Sequence, residues 1–277
     1  MYARNAAPGA AVVALNDPGE DLATTDGRVP GERGRQTRQR LLEATVELLT
    51  TTSWRSVKVT DIARQARTSP ATFYQYFGNV EQAIRVLAEG MVDQAAQLAE
   101  LVGGDWSEDA SWGTALTVTE GFLSYWEDNR AVFRVVDLAT EEGDAQLRGI
   151  RVRALNAVTV ALAQVIAAAS PAARGTPGTV TSSPAGADPM AVAGTLVAMF
   201  ASVAAHRYGF EFWGIRTGNL VDSQARLLHW AVTGRPASAS ALASASASAS
   251  ASQASRESAR PRPVLGAASA TSRRSVT

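Results

Sequence analysis

The chain has 277 residues, 46% of them hydrophobic, with no cysteine and a formal net charge of zero. This length holds one large or two small domains, and the apolar fraction is enough for a sizeable core. The lack of cysteine excludes disulfides and thiolate metal sites and suits a reducing compartment such as the cytoplasm. We find neither a secretion signal nor a convincing membrane span of about 20 apolar residues, so we expect a cytoplasmic protein without membrane association.

Charge is distributed unevenly along the chain. Between residues 33 and 78, eight Arg or Lys stand against three acids, net +5. Between residues 79 and 170, six Arg stand against fourteen acids, net −8. A basic module joined to an acidic one is typical of a phosphate-binding head on a domain that does not touch nucleic acid.

The first predicted element is a disordered arm. Residues 1–32 are rich in Ala, Gly, Pro and Asp and show no clear period. The basic segment Arg33–Arg40 leads into a first helix, capped by Thr37 and running to about Leu49. Its apolar stripe consists of Leu41, Leu42, Thr45, Leu48 and Leu49.

The stretch TDIARQARTSPATFYQYFG, which begins at Thr60, predicts two short helices joined by a tight turn. Thr60 or Asp61 caps the first helix, because a short polar side chain can accept from a free backbone N–H of the first turn. The turn is formed by residues 67–69. Ser69 then caps the second helix, and Pro70 occupies the first helical position, where its missing N–H costs nothing.

The second helix separates its residues into two faces. Phe73 and Phe77 lie four residues apart and can share a buried face, while Thr72, Gln75 and Tyr76 point elsewhere. Two helices joined in this way form a helix-turn-helix, whose second helix can enter the DNA major groove. On spacing alone, a helical hairpin with aromatic core residues explains the pattern equally well.

A resemblance separates these two interpretations. The pattern T-x-I-A-x-x-A-x-x-S-x-x-T-[FL]-Y-x-Y-F resembles the DNA-binding signature of the TetR family of bacterial transcriptional regulators. It is matched at Thr60, Ile62, Ala63, Ala66, Ser69, Thr72, Phe73, Tyr74, Tyr76 and Phe77. The similarity covers roughly residues 35–87 and is only architectural beyond them. It implies an all-α fold, with an N-terminal three-helix DNA-binding head and a C-terminal helical bundle for ligand binding and dimerisation.

Two residues depart from the family pattern. Arg67 stands where the turn usually carries glycine, and a side chain there costs about 1–2 kcal/mol if the backbone needs a positive φ. Val80 stands where the following loop commonly carries a lysine that anchors phosphate, so that contact is absent. Asn79 remains able to cap the next helix.

We predict the following DNA-binding residues: Arg35, Thr37, Lys58, Thr60, Arg67, Ser69, Pro70, Ala71, Thr72, Tyr74, Gln75 and Tyr76. In a helix-turn-helix the N-terminal part of the second helix lies nearest the bases. Gln75 can pair bidentately with adenine, and Ala71 can meet a thymine methyl group. The resemblance implies backbone or sugar contacts for Tyr74 and Tyr76. The basic segment 33–40 is by itself most often a solvated helix start, but beside a helix-turn-helix it favours phosphate contact through Arg35, Thr37, Arg38 or Arg40.

The rest of the chain reads as further helices, with apolar residues three or four apart. Their predicted spans are 80–101, 111–127, 130–139, 144–169, 190–213 and 220–232, with a flexible loop at 170–189. The predicted domains are a disordered arm at 1–32, the helix-turn-helix head at 33–79, an effector-binding and dimerisation domain at 80–234, and a disordered Ala/Ser-rich tail at 235–277.

Small residues cover much of the surface of the 190–213 helix, and small side chains let two helices approach closely. These residues are Ala193, Gly194, Val197, Ala198, Ala201, Ala204 and Ala205. In regulators that this chain resembles, the last two helices of each subunit form a four-helix dimer interface. We assign Ala193–Trp230 to that interface. Burial within a single subunit is the alternative.

Apolar side chains of the middle helices are candidates for a ligand cavity that takes a mostly apolar small-molecule effector. The predicted lining is Trp112, Phe122, Trp126, Phe133 and Met199, although ordinary core packing explains each of them singly. The chain has two histidines, His206 and His229, which we expect to be structural. No HExxH, P-loop or GxSxG motif is present, so we expect no catalytic residue, metal or cofactor.

These features predict a DNA-binding regulator that represses from a palindromic operator as a homodimer and responds to a ligand. An activator or a ligand-independent regulator is one alternative. A second is a helical interaction protein that has lost DNA binding, and an enzyme is the least favoured. Salt-dependent binding to a palindromic duplex separates these classes.

Overall fold

The computed structural model describes residues 24–25, 27–169 and 187–238, and these residues contain nine α-helices, one short 3₁₀ helix at Trp54–Ser56 and no strand. The all-α prediction is therefore confirmed. The helices are α1 (Glu32–Thr51), α2 (Val59–Gln65), α3 (Pro70–Tyr76), α4 (Val80–Val102), α5 (Ser111–Asp128), α6 (Arg130–Glu141), α7 (Ala145–Ala169), α8 (Pro189–Phe212) and α9 (Thr217–Thr233).

The first helix starts earlier than predicted. Its N-cap residue is Gly31, and Glu32 places a carboxylate in the first turn, where it favours the helix dipole. Thr37 is therefore an interior residue and not a cap, and its hydroxyl donates to the carbonyl of Arg33 at 2.9 Å. The prediction of the first turn was wrong because the residues of the basic run 33–40 are polar, so no apolar spacing marks where the helix begins.

Helix α2 begins one residue before the predicted cap. Lys58 is its N-cap residue and makes no side-chain capping bond, so Thr60 lies inside the first turn. At the other end, the N–H of Thr68 donates to the carbonyl of Ala63 at 2.8 Å and closes the helix. Arg67 adopts a φ of 54°, the left-handed conformation in which a side chain is strained.

Helix α3 begins as predicted. The Oγ of Ser69 accepts from the N–H of Thr72 at 3.1 Å, and Pro70 occupies the first helical position. Phe73 and Phe77 are buried with ring centroids 5.4 Å apart, packed with apolar residues of α1 and α2. Helices α1 to α3 therefore share one core beneath the turn.

The predicted disordered arm differs from the structure at residues 24–25 and 27–31. Thr25 hydrogen-bonds the end of α3, and Pro30 is buried beside α1. Residues 1–23 and 26, the rest of that predicted arm, lie outside the described residues. So do residues 170–186 of the predicted loop and residues 239–277 of the predicted tail.

Helix α4 joins the head to the body. Asn79 caps it, since its side-chain oxygen accepts from the N–H of Gln82 at 2.8 Å. The helix contacts α1 near its start and packs along α5 and α7 further on. Its buried stripe contains the predicted residues Ile84, Leu87, Ala88, Met91, Ala95 and Leu98.

Aromatic rings fill the core of the body. Trp126 and Phe133 stack with centroids 3.9 Å apart, and Phe122 lies 5.4 Å from Phe200. The Tyr125 hydroxyl donates to the carbonyl of Met91 at 3.0 Å, which joins α5 to α4. Burial raises the pKa of Tyr125, so this hydroxyl stays protonated and keeps donating.

The last three helices close the body. By length and composition α7 and α8 are long and apolar enough to cross a membrane, which is weak evidence because core helices pass the same test. They pack against each other, and α7 packs along α4. Helix α8 bends at His206, whose φ and ψ are −113° and 18°, and α9 ends at Gly234 in the left-handed conformation typical of a helix stop.

Candidate nucleic-acid interface

Helix α3 turns its polar face to solvent. Five of its predicted DNA contacts are exposed: Ser69, Pro70, Ala71, Tyr74 and Gln75. Tyr74 keeps 52% of its surface accessible, and its ring meets that of Phe73 edge to face at 5.8 Å. Thr72 and Tyr76 are partly buried. The structure therefore brings the predicted contacts together on one surface, with the buried phenylalanines holding the opposite face of the helix.

Two polar contacts within α3 reduce what its N-terminal residues can offer a ligand. The Ser69 hydroxyl, already an acceptor for the N–H of Thr72, also lies 3.0 Å from the hydroxyl of Thr72. Side chains without any hydrogen bond among the described residues include Gln75 and Tyr74. Their donors and acceptors are available to a partner in solvent.

The positive charge of the head is partly neutralised. Arg35 pairs with Glu32 at 2.7 Å, Arg64 pairs with Asp61 at 2.8 Å, and Arg55 pairs with Glu142, the C-cap residue of α6. Lys58 and Arg67, by contrast, are exposed and form no ion pair with any residue that the structure describes. These two cations flank α2 at its two ends.

Arg38 does not belong to the exposed basic surface. It retains only 5% of its accessible surface, and its guanidinium lies 5.4 Å from the ring centroid of Phe77. Arg38 therefore has little surface left for the expected phosphate contact, because this arginine packs over an aromatic ring of the head core. Arg40 remains exposed and donates to the Thr37 hydroxyl at 3.1 Å.

Comparison with known families identifies both parts of the chain. Residues 41–85 match the family of bacterial regulatory proteins of the TetR type, and residues 98–239 match the Tetracyclin repressor-like C-terminal domain. The second match alone covers more than half of the 277 residues. The chain belongs to the TetR family. It is therefore a DNA-binding transcriptional regulator, and its family consists of regulators rather than enzymes.

Solved structures show the same fold. The fatty acid degradation regulator FadR from Bacillus halodurans is 14% identical, with a TM-score of 0.53 over 73% of this chain and 96% of that one. A tetR-family transcriptional regulator from Streptomyces coelicolor is 15% identical, with a TM-score of 0.53 over 74% of this chain and 83% of that one. A search of curated proteins gives no match.

A second candidate site of this TetR-family regulator is a cleft of about 1900 Å³. It is lined by residues of α1, α5, α6, α7 and α8. Of the predicted pocket residues, Trp126 and Phe133 line it, whereas Trp112, Phe122 and Met199 do not. Trp112 instead packs against His229, and Phe122 packs against Phe200. Trp112 and Phe122 are therefore core residues, which was the alternative interpretation for each of them.

The lining of the cleft is amphipathic. Apolar residues of α6, α7 and α8 form much of one wall, among them Leu138, Val152, Leu155 and Val197. Glu43 and Glu47 of α1 lie on another side. The same cleft therefore borders both a helix of the DNA-binding head and four helices of the body.

Two polar links join the head to α6 beside this cleft. Arg134 donates to the carbonyl of Leu49 and, at 3.3 Å, to that of Thr52, both at the C-terminal end of α1. Glu142 pairs with Arg55 in the short 3₁₀ helix, and this pairing lowers the pKa of the Glu142 carboxyl. Sequence reasoning missed Arg134 because its partners are backbone carbonyls more than 80 residues away.

Proposed function

We propose that this TetR-family regulator is a ligand-responsive repressor that binds a palindromic operator as a homodimer in the cytoplasm. The observation that supports it most is the exposed polar face of α3, held from below by Phe73 and Phe77. No cofactor enters the proposal. An activator, or a regulator without ligand, remains an alternative outcome of the experiments below.

Base contacts come from α3. Gln75 carries an exposed amide with both donors and an acceptor available, which is the group that pairs bidentately with adenine. Ala71 presents a methyl group to thymine, and Ser69, Pro70 and Thr72 lie at the helix start, which approaches the bases most closely.

Phosphate contacts surround these base contacts. Lys58 and Arg67 bring unpaired cations, and Tyr74, Tyr76 and Thr60 bring hydroxyls. At the start of α1, Arg35 and Thr37 complete the surface. The ion pair of Arg35 with Glu32 is exposed, and such pairs contribute only about 0–1 kcal/mol, so a phosphate can replace the carboxylate.

The dimer interface is assigned to the outer faces of α8 and α9. Ala193, Val197, Ala201 and Ala204 are buried within the subunit, so those small residues serve its own core. The exposed surface of these two helices and of the connection between them instead carries large apolar side chains. They are Phe212, Trp213, Leu227 and Trp230. Such a concentration of apolar surface is typical of an interaction site.

Two-fold symmetry of this dimer sets the form of the operator. Each subunit presents one α3, so the two half-sites are inverted repeats whose centres lie about 34–36 Å apart or similarly spaced on one face of the duplex.

The effector is assigned to the cleft lined by α1, α5, α6, α7 and α8. A small molecule there contacts the head through α1 and the body through α5 to α8. It releases DNA only if it binds more tightly to an arrangement whose two heads no longer fit the operator, because differential affinity alone shifts the equilibrium. The links from Arg134 and Glu142 lie where such a change is transmitted.

The experiment that tests this function is selection of bound sequences from a random duplex pool with the purified protein. Enrichment of one palindrome is expected for the unaltered chain. Gln75→Ala is expected to relax the preference at one position of each half-site, at a cost of about 1–3 kcal/mol. Tyr74→Ala is expected to weaken binding of all sequences alike.

Gln97→Ala is the matched control, because Gln97 is an exposed glutamine on α4, remote from α3. It is expected to enrich the same palindrome as the unaltered chain. Failure of the folded, dimeric protein to enrich any sequence at low salt would contradict the proposed function. Enrichment of a sequence without inverted symmetry would contradict the dimeric operator.

A further inference from the structure

The C-terminal end of α3 is held by a residue that lies about 50 positions earlier in the chain. The N–H of Thr25 donates to the carbonyl of Gln75 at 2.9 Å. Its hydroxyl lies 3.0 Å from the carbonyl of Tyr74 and 3.3 Å from that of Gln75, and donates to them. The last carbonyls of a helix have no partner within it, so Thr25 satisfies two groups that would otherwise face solvent.

The same segment is fixed a second time, at the start of α1. Pro30 is buried, and its carbonyl accepts from Arg35 at 3.4 Å. A Cβ added to Gly34 would lie 2.6 Å from the Cβ of Pro30 and 3.3 Å from the hydroxyl of Tyr76. Only glycine at position 34 therefore allows Pro30 to pack this closely against α1.

Between these two anchors the chain makes a tight turn. The N–H of Thr24 donates to the carbonyl of Arg28, and the N–H of Gly27 donates to the carbonyl of Thr24, both at 2.8 Å. Gly27 adopts a φ of 80°, which favours glycine. Thr25 is thus presented to α3 by a hydrogen-bonded turn and not by an extended end of the chain.

Tyr74 and Gln75, whose carbonyls accept from Thr25, are among the residues whose side chains are assigned to DNA. Helix α3 has seven residues, too few to be stable without tertiary support. Phe73 and Phe77 bury the inner face of α3. The helix could still turn while these two rings stay buried, and such a rotation would shift the side chain of Gln75. Hydrogen bonds from Thr25 to the C-terminal carbonyls oppose such a rotation.

We propose that residues 24–25 and 27–31, which we name the N-terminal strap, are a positioning element of DNA recognition. The strap lies ahead of the region 41–85 that matches the family, so it extends the head of this chain. It holds α3 in the orientation that places Tyr74 and Gln75 on the DNA. The inference rests on the proposed DNA binding, and the experiment separates failure of one from failure of the other.

The test compares Thr25→Val with Thr25→Ser on the duplex that the unaltered protein enriches. Valine keeps the shape and the N–H but removes the hydroxyl donor, while serine keeps the donor. Since one hydrogen bond contributes about 0.5–1.5 kcal/mol, Thr25→Val is expected to weaken specific binding about 2- to 10-fold per half-site. Thr25→Ser is expected to restore it. The salt dependence should not change, because no phosphate contact is removed.

Gly34→Ala tests the second anchor independently, since its methyl group displaces Pro30. A similar loss of specific affinity is expected, with dimerisation unaffected. The matched control is Thr117→Val on α5, which removes an exposed threonine hydroxyl that donates to the carbonyl of Gly113 at 3.0 Å. This control should bind the duplex as the unaltered chain does.

The outcomes separate the two proposals. If the unaltered chain enriches no duplex, the proposed function fails. If it binds its duplex and both Thr25→Val and Gly34→Ala bind within twofold of it, the strap has no role in recognition. The inference is also overturned if Thr25→Val and Gly34→Ala lose DNA affinity only in proportion to a loss of melting temperature, and Thr25→Ser restores neither the affinity nor the melting temperature.

Discussion

The DNA-binding head and the last two helices both expose aromatic side chains, but the charged residues around them differ. On α3, Tyr74 stands beside polar residues, and Lys58 and Arg67 at the two ends of α2 have no acidic partner among the described residues. On α8 and α9, exposed Phe212 and Trp230 lie on helices whose two arginines, Arg207 and Arg226, are both ion-paired. The paired body arginines are Arg130, Arg151, Arg153, Arg207, Arg226 and Arg235.

This difference shows that an arginine count does not define a phosphate-binding surface. The partner of each arginine decides whether its charge reaches a ligand. An aromatic side chain among unpaired cations suits a polyanion, while one among neutralised charges suits an apolar partner such as a second subunit. The net charges of +5 for residues 33–78 and −8 for residues 79–170 also favour a polyanion partner for the head. They overstate the positive charge that the head exposes, because several of its arginines are ion-paired.

The largest expected effect is on the body, through Leu227→Asp. Leu227 is 45% exposed on α9, within the proposed dimer interface. A carboxylate buried there without a partner costs about 3–5 kcal/mol, so the dimer should dissociate at micromolar protein concentration. Sedimentation equilibrium measures the change.

Leu138→Asp is the matched control for this experiment. Leu138 has nearly the same exposure, 47%, but lies on α6 beside the cleft. This variant should remain dimeric. If both variants dissociate, or neither does, the assignment of the interface to α8 and α9 is wrong.

A smaller effect is expected in the head, through Arg67→Gly. Glycine relieves the left-handed φ of 54°, so the free energy of unfolding should rise by about 1 kcal/mol. Loss of the cation should weaken DNA binding and reduce the slope of log affinity against log salt by about one per subunit. Chemical denaturation and salt titration measure the two effects.

Arg67→Lys keeps both the charge and the strain, so it should match the unaltered chain in the two measurements. An Arg67→Gly variant that is more stable and binds with an unchanged salt slope would show that Arg67 does not touch phosphate.

The smallest expected effect is a pH dependence in the body. His229 of α9 is buried, with its Nε2 3.1 Å from the hydroxyl of Ser111, and burial, mainly, lowers the pKa of His229 below its ordinary value of 6.5. A hydrogen bond with the backbone of Arg235 opposes this lowering of the pKa, while the Arg235 guanidinium adds a smaller repulsion. The unfolded chain then binds the proton more tightly, so stability should fall as pH decreases from about 6.5 towards the lowered pKa and level off below it.

Thermal melts at about pH 7.5 and pH 5.5 test this dependence, since they bracket the ordinary histidine pKa. His229→Gln should show a smaller drop between the two pH values than the unaltered chain. His206→Gln, which alters the exposed histidine of α8, should keep the full drop. An unchanged drop in His229→Gln would assign the pH dependence to carboxylates instead.

The sequence predicted the helix-turn-helix well because its signals are local. A capping serine followed by proline marks the start of α3, and two phenylalanines four residues apart mark its buried face. The long helices of the body follow from their apolar period for the same reason. The residues assigned to DNA remain predictions, although the structure places most of them on one exposed surface.

Features that depend on distant contacts were not predictable. The hydrogen bonds from Thr25 to the end of α3 join residues about 50 positions apart. Nothing in the composition of the segment around Thr25 predicts them. Arg38 looks like any arginine of a basic run until packing places it over Phe77. Which aromatic residues line the cleft and which fill the core depends on the angles at which α5 to α8 meet, and these angles are not encoded in any single helix.

The 23 residues of α4 run without interruption from the head into the body. At 1.5 Å per residue this helix is a rod of about 35 Å, and it acts as a lever. A tilt of about 5° at its body end displaces the other end by roughly 3 Å, which approaches the 3.4 Å spacing of successive bases along a DNA strand. A rearrangement of the body that tilts α4 by this amount would move the head by about the spacing of one base.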